Sequence, residues 1–137
     1  MAANSLLAGA VQMLCVIAWR GGKGANSELL AKSLNTNPVV VRRILKTLEN
    51  HGLVKVRPGR HGGVELLRSP ADITLEDVYK AVEPDAALFA LRERGNQRCP
   101  VNNAMIRTLP PLFGAADAAV DNVLRRTKIA SLVEKII

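Results

Sequence analysis

A chain of 137 residues that is 48% hydrophobic can bury one modest core, and with only 3% aromatic residues that core must be aliphatic. The same scarcity argues against base stacking on an aromatic platform, the usual route to single strands and RNA, so duplex DNA is the better match for a net charge of +7. The charge is also polarised: residues 1–68 carry ten Lys/Arg against three Asp/Glu and residues 69–137 carry nine against nine, so the whole surplus precedes Ser69.

The first helix is expected over Asn4–Arg20, with Leu7, Val11, Leu14 and Ala18 on one face and Leu6, Met13 and Ile17 beside it, a stripe too broad for a surface helix. GGKG at 21–24 breaks it. Asn26 then caps a second helix, Ser27–Leu34, with Leu30, Ala31 and Leu34 facing inward. Residues 35–37 turn the chain into a third helix, which has Asn37 as N-cap and Pro38 in the first position, where a missing N–H costs nothing. Val41, Ile44, Leu45 and Leu48 form its apolar face, and Arg42, Arg43, Lys46, Thr47 and Asn50 lie outside that stripe. Gly52 suits a left-handed helix end, with His51 in the last turn. Leu53–Val56 and Val64–Leu67 read as strands around RPGRHGG, a turn that carries Arg57, Arg60 and His61. Helix, tight turn, helix and basic hairpin follow the order of a winged helix-turn-helix.

Beyond the wing, Thr74 and Asp77 approximate a capping box ahead of a short helix, Leu75–Val82, which Glu83, Pro84 and Asp85 close. Ala86–Arg94 reads as helical, GNQRCP at 95–100 as a loop, and Pro100 as a possible helix start. From Leu112, the spacing of Leu112, Ala115, Ala116, Ala119, Val120, Val123 and Leu124 marks an amphipathic helix ending near Arg125 and Arg126. Thr127 is the expected cap of a last helix carrying Ile129, Leu132, Val133 and Ile136. The fold class is therefore mainly α with a small β-hairpin wing.

Charges on a surface helix are most often merely solvated. Arg42, Arg43 and Lys46, however, sit on the second helix of the helix-turn-helix, beside a cationic wing and in the basic half of the chain, which points to DNA contact. Val39, Val40 and Arg43 are nearest the helix end that enters a groove. Arg43 can donate twice to guanine O6 and N7, and the valines can touch thymine methyls. Arg42 and Lys46 suit phosphates, and Arg57, Arg60 and His61 suit a wing laid against the duplex, with Arg60 fitted to the minor groove. An enzyme is not expected: the two His have no carboxylate pair, phosphate loop or zinc-ligand spacing around them. The competing reading is a protein–protein adaptor that uses the winged fold without DNA. Two cysteines, no leader and no membrane-length apolar run lead to the expectation of a cytoplasmic protein with reduced thiols and no membrane partner.

The run SELLAKSLNTNPVVVRRILKTLENHGLVKV, followed by GRHGGVELLRSPADITLEDVYKAVE, resembles the Rrf-type family of bacterial transcription regulators, closely over residues 4–84 and loosely beyond. The resemblance implies a winged helix-turn-helix DNA-binding domain over residues 1–84. Residues 85–137 would supply a linker helix, the Cys99 loop and a dimerisation helix with Leu112, Ala116, Val120, Val123 and Leu124 at the interface. It implies a homodimeric repressor on an inverted-repeat operator, since two-fold protein symmetry demands two-fold site symmetry. An apolar stripe alone does not name its partner, and folding back onto its own domain is the alternative. Part of the family holds an iron–sulfur cluster on three cysteines from this loop region. Here residues 86–113 contain one Cys and no His, so no cofactor is expected. Cys15, in the apolar first helix, reads as a small buried hydrophobe. Cys99, preceded by Arg94 and Arg98 and followed by Pro100, is either an inert remnant or a redox-sensing thiol. No small-molecule effector is legible.

Overall fold

The computed structural model describes residues 5–92 and 95–136. Its first helix, α1 (Leu6–Trp19), is the centre of the molecule, in contact with three other helices and the wing. It buries Ala10, Met13, Leu14 and Ile17, so the inward stripe is centred one position away from the expected one, and Leu7, Val11 and Ala18 pack only at its margins. Gln12 joins it to the next helix, donating from Nε2 to the Ser33 carbonyl at 2.8 Å and to Ser33 Oγ at 3.0 Å.

The segment after α1 does more than break the helix. Gly22 and Ala25 accept from the backbone N–H groups of Leu66 and Val64 at 2.9 and 2.8 Å, so the segment runs as a third lane beside the wing. Helix α2 (Ser27–Leu34) starts as expected, with Asn26 Oδ1 accepting from the Leu29 amide at 2.8 Å. Helix α3 (Pro38–Asn50) starts in the same way, with Asn37 Oδ1 accepting from Val40 at 3.1 Å. Its buried face is Val41, Ile44, Leu45 and Leu48, as the spacing predicts. Gly52, at φ 73°, lets the chain reverse, and the Leu53 amide returns to the Leu48 carbonyl at 3.1 Å.

The wing is an antiparallel pair, β1 (Val54–Arg57) and β2 (Gly63–Leu66), with Val54 opposite Leu66 and Val56 opposite Val64. Both strands lie one residue nearer the tip than expected, because Leu53 is already committed to closing α3. A side chain at Gly62 would collide with the Arg57 carbonyl, so the tip can be this tight only with glycine there.

Helix α4 (Leu75–Val82) opens with the predicted capping box: Thr74 Oγ1 accepts from the Asp77 amide at 3.1 Å, and Asp77 Oδ2 accepts from the Thr74 amide at 3.0 Å. The helix expected over Ala86–Arg94 is not there. Residues 86–92 are non-helical, and residues 93 and 94 lie outside the described ones. The Leu88 amide donates to Asp117 Oδ1 at 3.1 Å, and the Phe89 ring rests 5.5 Å from that of Phe113, so long-range partners hold the segment out of a helix.

The partners belong to α5 (Pro100–Arg125), a continuous helix of 26 residues that begins at Pro100, the possible helix start read from the sequence, and runs without a break into the stretch expected to begin at Leu112. Pro110 and Pro111 lie inside it, and they are why the sequence reads as two pieces. No described residue of α5 is fully buried. Leu109, Phe113, Ala116, Asp117, Val120 and Leu124 are half-buried along one side, while Val101, Met105, Leu112, Ala119 and Val123 form an exposed stripe. At the base of α5, Arg125 grips Glu76 of α4 through two bonds, Nη2 to Oε2 at 2.7 Å and Nε to Oε1 at 3.1 Å.

The chain then returns to its beginning. The last helix, α6 (Ile129–Val133), packs on α1 and inserts Ile129, fully buried, into the core. Its N-cap is Lys128 rather than Thr127, and no side chain caps it. The Thr127 carbonyl instead accepts from the Leu75 amide at 2.9 Å, and the Ile129 amide donates to the Ile73 carbonyl at 2.9 Å. Ile136, expected on this helix, lies beyond its end and is exposed.

Candidate nucleic-acid interface

Because α3 buries Val41, Ile44, Leu45 and Leu48, it must turn the residues between them outward. Val39 is 59% exposed and Val40 38%, and Arg42, Arg43 and Lys46 are exposed beside them. The helix therefore presents an apolar tip at its N-terminal end followed by three cations. Thr47 Oγ1 donates to the Arg43 carbonyl at 3.2 Å within the helix, and His51 Nδ1 donates to the Thr47 carbonyl at 2.9 Å, satisfying one acceptor of the last turn.

Between α3 and the wing runs an open groove of about 590 Å³, lined by Arg42, Lys46, Arg57 and Arg60, with Asn26 and Ser27 of the α2 start at its edge. The fold thus gathers four of the predicted contact residues round one concavity. Val39, Val40 and Arg43 lie outside the lining, at and beyond the exposed helix end. His61 belongs to the other side of the wing, where it shares a smaller cleft with Lys23, Arg57 and Glu65.

The four groove cations are not equivalent. Arg57 is engaged within the hairpin, its Nη2 and Nε donating to Glu65 Oε1 at 3.0 and 3.2 Å. Arg42, Lys46 and Arg60 form no ion pair among the described residues and are available to an anion.

Two residues of this surface escaped the sequence reading. Lys23 sits in GGKG, which reads only as a helix breaker; its place beside the wing follows from the backbone bonds of Gly22 and Ala25, invisible in composition. Glu49 lies outside the apolar stripe of α3 and reads as a solvated charge, yet its Oε2 accepts from the Val56 amide of β1 at 2.8 Å. Nothing in its spacing signals that partner.

Away from the groove, the exposed stripe of α5 bears on the expected dimer interface. Leu112 and Val123 lie on it, 59% and 60% exposed. Ala116, Val120 and Leu124 are half-buried on the side turned toward the rest of the chain. Cys99 is the N-cap residue of α5, half-buried and without a side-chain cap bond. Cys15 is half-buried in α1, and burial pushes its thiol up from the usual range, which disfavours the reactive thiolate.

A protein-family model described as Rrf2, iron-dependent transcriptional regulator, matches residues 3–135. The chain is 39% identical over 121 residues to the Bacillus subtilis HTH-type transcriptional regulator YwnA, an alignment covering 88% of this chain and 89% of that protein. Among solved structures, a transcriptional regulator from Lactobacillus plantarum aligns with a TM-score of 0.77 at 30% identity, over 93% of this chain and 87% of that one. CymR, the global cysteine regulator of B. subtilis, shares the fold at 21% identity with a TM-score of 0.72, over 100% of this chain and 99% of its own. The iron in the family description finds no ligand set among the described residues. The segment joining α4 to α5 offers one thiol and no imidazole, and no three His, Cys, Asp or Glu side chains among the described residues come together as a metal site. The basic helix, the wing and these likenesses agree: the chain is a DNA-binding transcriptional regulator of the Rrf2 family.

Proposed function

We propose that the protein is a homodimeric, cytoplasmic repressor that binds an inverted-repeat operator, with the unit spanning residues 1–84, its core completed by Ile129 of α6, on the DNA and α5 joining the two copies. The observation that carries this reading is the groove between α3 and the wing, where Arg42, Lys46 and Arg60 form no ion pair among the described residues and Arg57 is paired with Glu65, next to a helix end that exposes two valines and Arg43. Val39, Val40 and Arg43 enter the major groove and read base edges. Arg42 and Lys46 hold phosphates, and Arg60 at the wing tip reaches the adjacent minor groove, with Arg57 and His61 alongside. The exposed stripe of Val101, Met105, Leu112, Ala119 and Val123 follows a spacing of fours and sevens, the pattern by which two helices bury a shared seam, which supports α5 as the interface.

Selection of bound duplexes from a random pool tests the assignment. The native protein should return a two-fold symmetric consensus, and Arg43→Ala should relax one position in each half-site at a cost of about 1–3 kcal/mol. An unchanged consensus with Arg43→Ala refutes Arg43 as a reading residue. Absence of salt-sensitive duplex binding favours an adaptor role instead.

A second reading makes Cys99 a redox sensor of the same repressor, supported by its partial exposure at the N-cap of a long helix. Mild peroxide should then weaken operator binding by the native protein and not by Cys99→Ser. Equal responses in the two proteins exclude it.

A further inference from the structure

The third lane of the wing dictates what its far edge must do. The Val64 and Leu66 amides donate outward to Ala25 and Gly22, so the pairs Val56–Val64 and Val54–Leu66 occupy the positions of the ladder without mutual hydrogen bonds. The N–H of Val56 therefore points away from β2, toward the open edge of the sheet. What it meets is the recognition helix: Glu49 Oε2, at 2.8 Å. Glu49 lines the same groove as Arg42, Lys46, Arg57 and Arg60, yet it forms no ion pair within 4 Å among the described residues. A carboxylate in a groove that receives phosphates opposes binding by like-charge repulsion. Its one visible role is the charge-assisted bond to the edge of the wing.

We propose that Glu49 is a positioning residue that locks the wing to the recognition helix, setting the distance between the base edges read by α3 and the site where the wing tip meets the duplex. This rests on the reading that α3 and the wing bind one duplex together. In it, α3 supplies the base preference, and Glu49 determines whether the wing arrives in register with that helix. The base of the hairpin is held by Leu53, Val54 and Val64 in the core and by the bonds of Val64 and Leu66 to Ala25 and Gly22, which tie β2 to the segment after α1 and not to α3. The hydrogen bond from Val56, three residues into the wing, ties β1 to α3 itself, nearer the tip.

The test compares Glu49→Ala, which removes the acceptor, with Glu49→Gln, which keeps a carbonyl oxygen for the Val56 amide and removes the charge. Each is footprinted with hydroxyl radicals on the consensus duplex, with its thermal midpoint and selected consensus measured alongside. Glu49→Ala should retain the consensus read by α3 but lose the sugar protection contributed by the wing, with affinity falling about tenfold. Glu49→Gln should keep the wing protection and bind at least as tightly as the native protein. Unchanged wing protection in Glu49→Ala overturns the positioning role. So does equal loss in both variants, because the charge and not the hydrogen bond would then be responsible. A shifted consensus in Glu49→Ala overturns it too, by making Glu49 a reading residue. If the native protein leaves no footprint on any duplex, the DNA reading itself falls, and the positioning role falls with it.

Discussion

Lys46→Ala should flatten the salt dependence of operator binding by an amount that the groove geometry sets. In each subunit Arg42, Lys46 and Arg60 are exposed and form no ion pair within the described chain, so meeting a phosphate breaks no internal contact. Arg57 differs, because its bond to Glu65 must be shared or given up. Counting the three unpaired cations in each of two subunits, Arg60 included because a cation in the negative potential of the minor groove displaces counterions too, gives about six charges neutralised, and at about 0.9 counterion each the plot of log affinity against log salt should have a slope of roughly −5. Between about 50 and 200 mM KCl that slope costs the native protein roughly a thousandfold or a little more in affinity. Lys46→Ala removes about two contacts per dimer, so its slope should be roughly −3.6 and its loss over the same range only about 150-fold. Fluorescence anisotropy on a labelled operator across that range measures both. The variant should also weaken all sequences alike, since a phosphate contact carries no base information. A slope for Lys46→Ala equal to the native one would refute the assignment of Lys46 to a phosphate, and a native slope shallower than about −2 would refute the groove as the main electrostatic surface.

Three further outcomes follow from contacts elsewhere. Leu112→Glu, at the middle of the exposed α5 stripe, should yield a monomer by sedimentation and weaken operator binding by on the order of a hundredfold, through loss of the linked second half-site; a tight dimer in this variant would place the interface elsewhere. Thr74→Ala removes the acceptor for the Asp77 amide and should cost about 1 kcal/mol of unfolding free energy in a urea titration, with no change in operator preference. Hydrogen bonds from Arg125 hold the carboxyl of Glu76 below the usual carboxylate range, against the opposing effect of burial, and the charges of Arg125 and Lys80 add to the lowering. Its contribution to stability is therefore complete above the ordinary carboxylate pKa and lost as pH falls through the lowered folded value, so Glu76→Gln should flatten the acid limb of a thermal-midpoint profile; superimposed limbs would refute that account.

The parts of the fold legible in the sequence are those whose cause is local. Asn26, Asn37 and Thr74 bond amides three residues away, and the buried stripe of α3 repeats every turn, so caps, helices and their order can be read without knowing what packs where. The exposed reading face of α3 comes with its buried face as the remainder. What failed is what depends on distant partners. Residues 86–92 carry helix-forming side chains, but Leu88 and Phe89 find Asp117 and Phe113 more than twenty positions along the chain. Pro110 and Pro111 are strong local stop signals, and α5 continues through them. Thr127 has the chemistry of a cap, but its carbonyl is taken by Leu75 of a separate helix. Glu49, Lys23 and the Glu76–Arg125 pair were missed for the same reason: an exposed charge in a sequence gives no sign of which amide or carboxylate lies across from it.

The grip of Arg125 on Glu76 makes α5 a lever with its fulcrum at one end and a tether partway along, where Leu88 and Phe89 meet Asp117 and Phe113. At 1.5 Å per residue its 26 residues extend about 39 Å, so a tilt of about 5° at the fulcrum carries the Pro100 end through roughly 3.4 Å. The fulcrum sits on α4, which also touches α3, so a small rearrangement of the α4 packing reaches the reading helix and the far end of the lever together. In an assembly built on this lever, the distance between two reading helices is not a property of either DNA-binding unit alone. Under the proposed assembly it depends also on the junction of α4 and α5, where the Glu76–Arg125 pair sets the angle at which the long helix leaves.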